Sequence, residues 1–550
     1  IIYTGVDGIF YPPLPLKSRK RLNLYEILTL CILFITLGFL CLFINVNIIH
    51  MINSDDSSEL ILGKILSEEQ GVLSKNWHYS TEIRFLNSNL LYKFFFAITD
   101  NWHHVRVLSH FALYLILLLT YFLLCKSLKC TKYYAITCAA LFVPFSSQYF
   151  DYILRVAYYI PYIAISFFII SLGELFDLQS KKKNWSLVAL ASVISMLSGM
   201  NGIRQMTILQ VPMLVASIWL WLLENKKYLM KNNDIKDHSW LFGCRHLIYS
   251  LLIFLSAGIG YIINAKIFTK IYSFKTWDDI SFTNFKFANL EKVISGLFTS
   301  FGFVDANVFS SAIYTNCVSF IWMALFLFSL VYGIKKNTNA SLQYKRFAIF
   351  TFFSFLVYLN LYLFTDLSYS ERYNLPILIM SLPLIACFFN ECDLKDRARN
   401  IIISTFVIMI LGSGLINYRY YYSYDVTREL REISDLCIAM DYHAGYSTFW
   451  RSNILTELSN GEIEMWSQAY DEEMLSKHEK VDETFQWLQK KSHDTSHPEG
   501  KIILLYTLSE LEACNWAEEL SNENIIYQSD LFVVYGYDDY SLLPENIRNN

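Results

Sequence analysis

In the stretch INSDDSSEL (Ile52–Leu60), Asp55 and Asp56 stand side by side just past a long apolar run, with Glu59 one helical turn beyond. A charge at the centre of a bilayer costs about 2.5 to 3.5 kcal/mol on insertion scales, so carboxylates at a membrane edge are either solvated caps or working groups. Asp55 and Glu59 are spaced i and i+4 and share a face of a continuing helix, whereas Asp56 points about 100° away. This favours Asp55 as the group that takes a proton from a hydroxyl, with Asp56 as its substitute. The competing role is capping, in which the two aspartates satisfy free N–H groups of the helix they open.

Two further segments carry cations suited to an anionic partner. In DLSYSERYNLP (366–376), Arg372 offers a planar, permanently charged fork that matches phosphate, and Tyr373 suits the boundary of lipid and water. In GMNGIRQM (199–206), Arg204 follows Gly199 and Gly202, which are expected to let a ligand approach the backbone. An arginine that merely snorkels to the interface is the plain alternative for both. The stretch NWHYSTEIRFLN (76–87) is dense in sugar-binding residue types: Trp77 and Tyr79 present flat faces, and Glu82, Arg84 and Asn87 present hydrogen-bonding groups. An interfacial aromatic girdle explains Trp77 and Tyr79 equally well. His78, His103 and His104 make no ligand spacing, and the 11 cysteines include no CxxC. No cofactor is therefore expected, and a divalent metal is not indicated. Cys437 and Cys514 lie together in the C-terminal part, where spacing does not decide whether they pair.

These residues need elements to bring them together. The 550 residues are 54% hydrophobic, 17% aromatic and only 17% charged, which reads as an α-helical polytopic membrane protein. A net charge of -4 without a basic patch argues against nucleic acid as a partner. Apolar runs of about 20 residues, enough to cross a ~30 Å hydrocarbon core, predict about eleven transmembrane helices. They fall near 24–46, 106–125, 133–149, 157–177, 185–200, 206–223, 246–264, 312–333, 347–365, 374–389 and 400–417. The basic segments KSRKR, KSLKCTK, KKKN, NKKYLMKNN, KKNTNASLQYKR and KDRARN occupy alternate loops, so positive residues stay inside if the N-terminus is cytoplasmic. The expected organisation is a cytoplasmic segment 1–23, a transmembrane domain 24–417 with a long first outer loop 47–105, and an extracytoplasmic α/β domain 418–550. Arg155, Arg204 and Arg372 then lie on the outer side, against the usual bias.

Within the first outer loop, SELILGKILSEEQ sets Ile61, Leu62, Ile65 and Leu66 on one helical face, as expected for a helix lying along the membrane interface. LNSNLLYKFFFAITDNW is too short to span and is expected to rest against the bilayer. After Tyr418, helical VTRELREISDLCIAM, strand-like YSTFW, helical RSNILTELSNG and strand-like EIEMWSQAY alternate. The strands KIILLYTL and IIYQSDLFVVYGY follow, with a helical segment between them, the pattern of a small α/β domain.

The acid after the first span, the following amphipathic helix, the RYNLP element and the soluble C-terminal part together resemble the GT-C superfamily of membrane glycosyltransferases. They are similar to the protein mannosyltransferases and the lipid A aminoarabinose transferase, and closer to a bacterial branch. The resemblance implies a transferase that moves a sugar from a polyprenyl-phosphate donor to a cell-envelope glycan, lipid or protein on the outer face of the cell membrane. It implies Asp55 as general base, with Asp56 as the substitute, and Arg372 at the donor phosphate; Tyr373 and Arg204 are expected beside Arg372, and a single displacement would invert the anomeric carbon. The sugar-binding residues expected beside them are Glu59, Trp77, Tyr79, Glu82 and Arg84. A cell-surface polysaccharide polymerase or ligase, or a transporter of lipid-linked glycan, is the alternative.

Overall fold

The computed structural model describes residues 23–176, 184–230, 245–275, 281–307, 310, 312–335 and 338–548. The basic segments KSRKR and KKKN lie outside the described residues, apart from Asn184. Among the described residues, 8 helices are long and apolar enough to cross a membrane, or 9 if a pair bent by 79° (Ser147–Arg155 and Ile160–Leu175) counts as one span. These features define a multi-pass membrane protein.

Two expected spans take a different form. The segment 133–149 forms only the helix Tyr134–Leu141 before the chain breaks at Phe142. Pro144, which follows, cannot donate to a helical ladder and disfavours helix at Val143. The segment 185–200 forms Asn184–Gly199, at 16 residues short of the roughly 20 that a span needs. Hydropathy counted both as full-length runs because it weighs composition and does not register where a helix begins and ends; the second still exposes Trp185, Leu190 and Val193.

The first span, α1 (Leu24–Asn47), leads through a single turn to α2 (Ser54–Glu68), then α3 (Ser88–Phe96) and the second span α4 (Trp102–Ser127). The amphipathic face of α2 was expected against lipid, yet Leu60, Ile61, Leu62, Ile65 and Leu66 are all buried in protein. They pack with Trp77, Phe449, Phe485 and Trp487 in a core that joins the first loop to the C-terminal part. An amphipathic pattern specifies an apolar cover and does not say whether lipid or protein supplies it. The helix Leu375–Glu391 is the most enclosed span, with 83% of its apolar window buried, and a short 3-10 turn, Glu371–Asn374, sets Arg372 at its mouth.

The C-terminal part carries a five-stranded sheet of order β4-β3-β5-β7-β6, comprising β3 (Ala444–Ser447), β4 (Glu464–Ser467), β5 (Ile502–Thr507), β6 (Ile525–Gln528) and β7 (Phe532–Tyr537). β3 pairs in parallel with β4 and β5, and β7 runs antiparallel to β5 and β6. The crossover from β3 to β4 is the helix Phe449–Leu458, which lies against α2. A separate two-stranded pair, β1 (His78–Tyr79) with β2 (Ser273–Phe274), ties the first loop to a later one. Cys437 and Cys514 are both free and buried.

Candidate active site

The first turn of α2 is held from three directions. Its N-cap is Asn53, whose side chain accepts from the Asp56 N–H at 3.0 Å, so the aspartates are released from the capping role. The Ser54 hydroxyl donates to the Phe449 carbonyl of the C-terminal part. Arg106, buried within α4, donates from Nη2 to the Asp56 carbonyl at 3.1 Å and grips the Glu457 carboxylate through Nε and Nη2 at 2.5 Å each. The C-terminal part thereby fixes the turn that bears the two aspartates.

The two carboxylates have different surroundings. Asp56 is buried and accepts from the Arg155 guanidinium, which also bonds Asp151 at 3.1 Å and the Met51 carbonyl at 2.8 Å. Asp55 opens into a cavity of about 400 Å³ that Glu59, Glu82, Arg84, Arg204 and Arg372 also line. Its carboxylate forms no ion pair among the described residues. Burial and the neighbouring Asp56 push its pKa up to about 6, against the opposing pull of Arg84 and Arg372. A carboxylate with a pKa in that range can take up a proton near neutrality, where general-base catalysis is most effective.

Other acids of the cavity are committed. Glu59 bonds Arg84 at 2.8 Å and the Asn87 amide at 3.1 Å, and burial raises its pKa. Glu82 accepts from the backbone N–H of Ile203, and burial raises its pKa while Arg204 and Arg84 oppose that shift. The glycines before Arg204 serve packing and leave no approach for a ligand. Gly202 has φ +88°, and a Cβ there would sit 1.5 Å from the Glu82 carboxylate. A Cβ on Gly199 would sit 2.1 Å from the Ala257 carbonyl oxygen.

Arg204 and Arg372 share a tyrosine cage. The Arg204 guanidinium lies 5.2 Å from the Tyr158 ring, 5.9 Å from Tyr159 and 5.5 Å from Tyr373, and donates to the Tyr158 hydroxyl. Arg372 lies 5.4 Å from both the Tyr152 and Tyr373 rings. Its buried Nε–H has no acceptor among the described residues. Ring faces stabilise the cations without neutralising them, and neither arginine forms a close ion pair among the described residues, although Glu82 acts on Arg204 and Asp55 on Arg372 through space. The pair is thus built to receive an anion.

Trp77 and Tyr79 were expected at the sugar. The structure buries them, 1% and 4% exposed, with the Tyr79 hydroxyl tied to the Ser74 backbone; neither lines the large cavity, though both border a small pocket beside it with Glu59, Glu82 and Arg84. Both belong to the apolar core that also holds Leu62, Ile65 and the C-terminal aromatics, and Tyr79 meets Tyr272 edge-on. Sequence did not single out Tyr152, Tyr158, Tyr159, Asp151, Arg106 or Glu457 for the site. An arginine inside an apolar span was the available signal for Arg106, but nothing in linear order joins it to a partner 351 residues away.

The helical bundle, the long first loop with its open carboxylate and the C-terminal α/β part make up one multi-pass membrane fold. Two solved structures share it along nearly the whole chain. One is ArnT from Cupriavidus metallidurans bound to undecaprenyl phosphate, with a TM-score of 0.53, 9% identity, and coverage of 96% of this chain and 98% of that one. The same ArnT in the apo state gives a TM-score of 0.54, 10% identity, and coverage of 93% and 97%. At such identities the likeness is one of fold. No family model matches the chain, and no curated protein matches it in sequence.

Proposed function

We propose that the protein is a GT-C-type membrane glycosyltransferase that moves a sugar from a polyprenyl-phosphate donor to a cell-envelope acceptor on the outer face of the membrane. The observation that carries this reading is that Asp55, Arg204 and Arg372, none of which forms an ion pair among the described residues, line one cavity. The undecaprenyl phosphate bound by the ArnT structure supports the donor class. In this reading the acceptor hydroxyl oxygen attacks the anomeric carbon while Asp55 takes its proton. The bond from that carbon to the phosphate oxygen breaks, and the polyprenyl phosphate leaves on Arg204 and Arg372. Tyr373 underlies both guanidiniums and holds their spacing. A single displacement inverts the anomeric configuration. Arg84 and Glu59 frame the base, and Asp56, engaged with Arg155, acts as its fixed neighbour.

The domain order 1–23, 24–417 and 418–550, with the N-terminus cytoplasmic and the last segment outside, belongs to the same proposal. An enzyme on that face has no nucleotide sugars at hand, which makes a lipid-linked donor the accessible activated sugar. No step is routed through a cofactor. Deleting the protein should cause one polyprenyl-phosphate-linked sugar to accumulate, and purified protein should discharge that lipid to free polyprenyl phosphate plus glycosylated acceptor. A lipid pool unchanged by deletion, with no discharge in vitro, would reject the reading.

A further inference from the structure

Residues 485–494 of the C-terminal part run along the first outer loop as a strap, and His78 grips its middle. The His78 carbonyl accepts the Leu488 N–H at 2.8 Å, and the His78 N–H donates to the Gln489 carbonyl at 2.9 Å. The His78 ring meets Asp494 through Nε2 and Ser273 through Nδ1, each at 2.8 Å. The Asn453 amide donates to the Leu488 carbonyl at 3.3 Å. Held at both backbone polar atoms, Leu488 takes φ +48°. Gln70, Lys129, Ala157, Asp441 and Asn460 are the other non-glycine residues with positive φ among those described, and each stands two positions beyond the last residue of a helix, where a left-handed residue is an ordinary way to finish. Leu488 finishes no helix. A bulky side chain in that region is strained and persists only where its surroundings dictate it, a situation that concentrates at functional sites.

The strain holds a cavity wall in place. Leu488 borders both the cavity that Asp55 opens into and the small pocket beside it, whose volume is about 10 Å³. That is room for about one water molecule. Glu59, Ser80, Glu82 and Arg84 also border both spaces, so the pocket adjoins the cavity directly, whereas Arg204 and Arg372 border only the cavity. Two residues of the pocket keep a buried polar atom unpaired among the described residues: the Trp77 Nε1–H has no acceptor, and the Asn89 Oδ1 has no donor. Buried orphans of this kind are costly, and one hydroxyl satisfies both, because it accepts one hydrogen bond and donates another. We propose that the small pocket receives the 2-hydroxyl of the transferred sugar, and that Leu488 is the specificity-determining residue that keeps the pocket small. The inference rests on the transferase reading above and deepens it by naming which sugars the site takes. With the donor phosphate on the arginines, the anomeric carbon must lie within reach of a nucleophile held by Asp55. Glu59 stands one helical turn from Asp55 and borders the pocket, so the substituent next to the anomeric carbon is the one that reaches it. A hydroxyl fits that volume and an acetamido group does not. A water satisfies the same two orphans, and the test separates the two occupants.

The test uses the full chain in lipid nanodiscs. Calorimetry measures binding of undecaprenyl phosphate, of its glucosyl and galactosyl forms, and of their 2-acetamido-2-deoxy counterparts. The wild type should bind at least one hexosyl lipid more tightly than the bare lipid, and roughly tenfold more tightly than the acetamido counterpart. Leu488→Gly should erase most of that preference. Trp77→Phe should lower affinity for the hexosyl lipid roughly 3- to 10-fold, the worth of one buried hydrogen bond. Both variants should bind bare undecaprenyl phosphate like the wild type, which also shows that they fold. In thermal unfolding, Leu488→Gly should be at least as stable as Leu488→Ala although it removes more, because glycine accepts φ +48° without strain. Hexosyl and bare lipids bound alike, or hexosyl binding indifferent to Trp77→Phe, would leave the pocket to water and overturn the sugar assignment. A preference unchanged in Leu488→Gly, or a Leu488→Ala variant more stable than Leu488→Gly, would overturn the role of Leu488. Failure of the wild type to bind bare undecaprenyl phosphate would overturn the transferase reading itself.

Discussion

Replacing Asp55 and Asp56 one at a time by asparagine separates a catalytic carboxylate from a structural one. The Asp55 carboxylate has no ion pair among the described residues, so Asp55→Asn keeps volume and leaves the fold intact while removing the basic lone pair. A positioned general base contributes about 100- to 10,000-fold, which is roughly 2.7 to 5.4 kcal/mol of barrier. Asp56→Asn instead removes one of two carboxylates held by Arg155. Breaking a buried pair costs about 3 to 5 kcal/mol, and here less, because Arg155 keeps Asp151 at 3.1 Å and the Met51 carbonyl at 2.8 Å. Its main signature should be a lower Tm. The pH profile adds a signed test. Asp55 must be ionised to act, so wild-type transfer should be full above about pH 6 and fade as pH falls through that value. Because Asp56 helps raise the Asp55 pKa, Asp56→Asn should move the acid limb to lower pH. The assay is transfer rate against pH in nanodiscs for the three proteins, with thermal unfolding alongside. Near wild-type transfer by a folded Asp55→Asn variant, together with abolished transfer by a folded Asp56→Asn variant, would refute the assignment of the base.

Arg372→Lys keeps the charge but loses the planar fork, and Arg372→Ala loses both. Donor use should therefore fall in that order, to roughly 10- to 100-fold for alanine as expected for charge-assisted hydrogen bonds, and superimposable rate curves against donor concentration would leave Arg204 as the anion site. Glu457→Gln leaves the Arg106 charge without its partner and loosens the first turn of α2. We expect a fall in kcat and in Tm with donor KM unchanged, and a kcat equal to wild type would remove the clamp from the mechanism. For orientation, a membrane-impermeant thiol reagent applied outside the cell should label Lys480→Cys but not Met230→Cys; the reverse pattern would put Asp55 in the wrong compartment.

Composition and periodicity determined much of this protein without coordinates. Long apolar runs have one stable solution in a bilayer, in which helices satisfy their own backbone, so the polytopic helical class followed from hydropathy. The alternation of strands and helices after Tyr418 likewise foretold the α/β part, because turn residues and the change of period are local signals. Sequence picked out Asp55 by its expected place at a membrane edge and Arg204 and Arg372 by an expected place where positive charge is disfavoured, and the fold gathers the three around one cavity. What covers an amphipathic face was not legible. The stripe on α2 pattern-matches an interfacial helix, and only the long-range contact with Phe449, Phe485 and Trp487 shows that protein covers it. The same holds for Trp77 and Tyr79, whose residue types suit a sugar while their burial gives them to the core. Which carboxylate is free was also a tertiary decision. Asp55 and Asp56 are equivalent by type and adjacent in sequence, and they differ only because Arg155, 99 residues on, closes on one of them. Spacing along a helix fixes the direction in which a side chain points, whereas the charge it meets there depends on which distant segments fold against it.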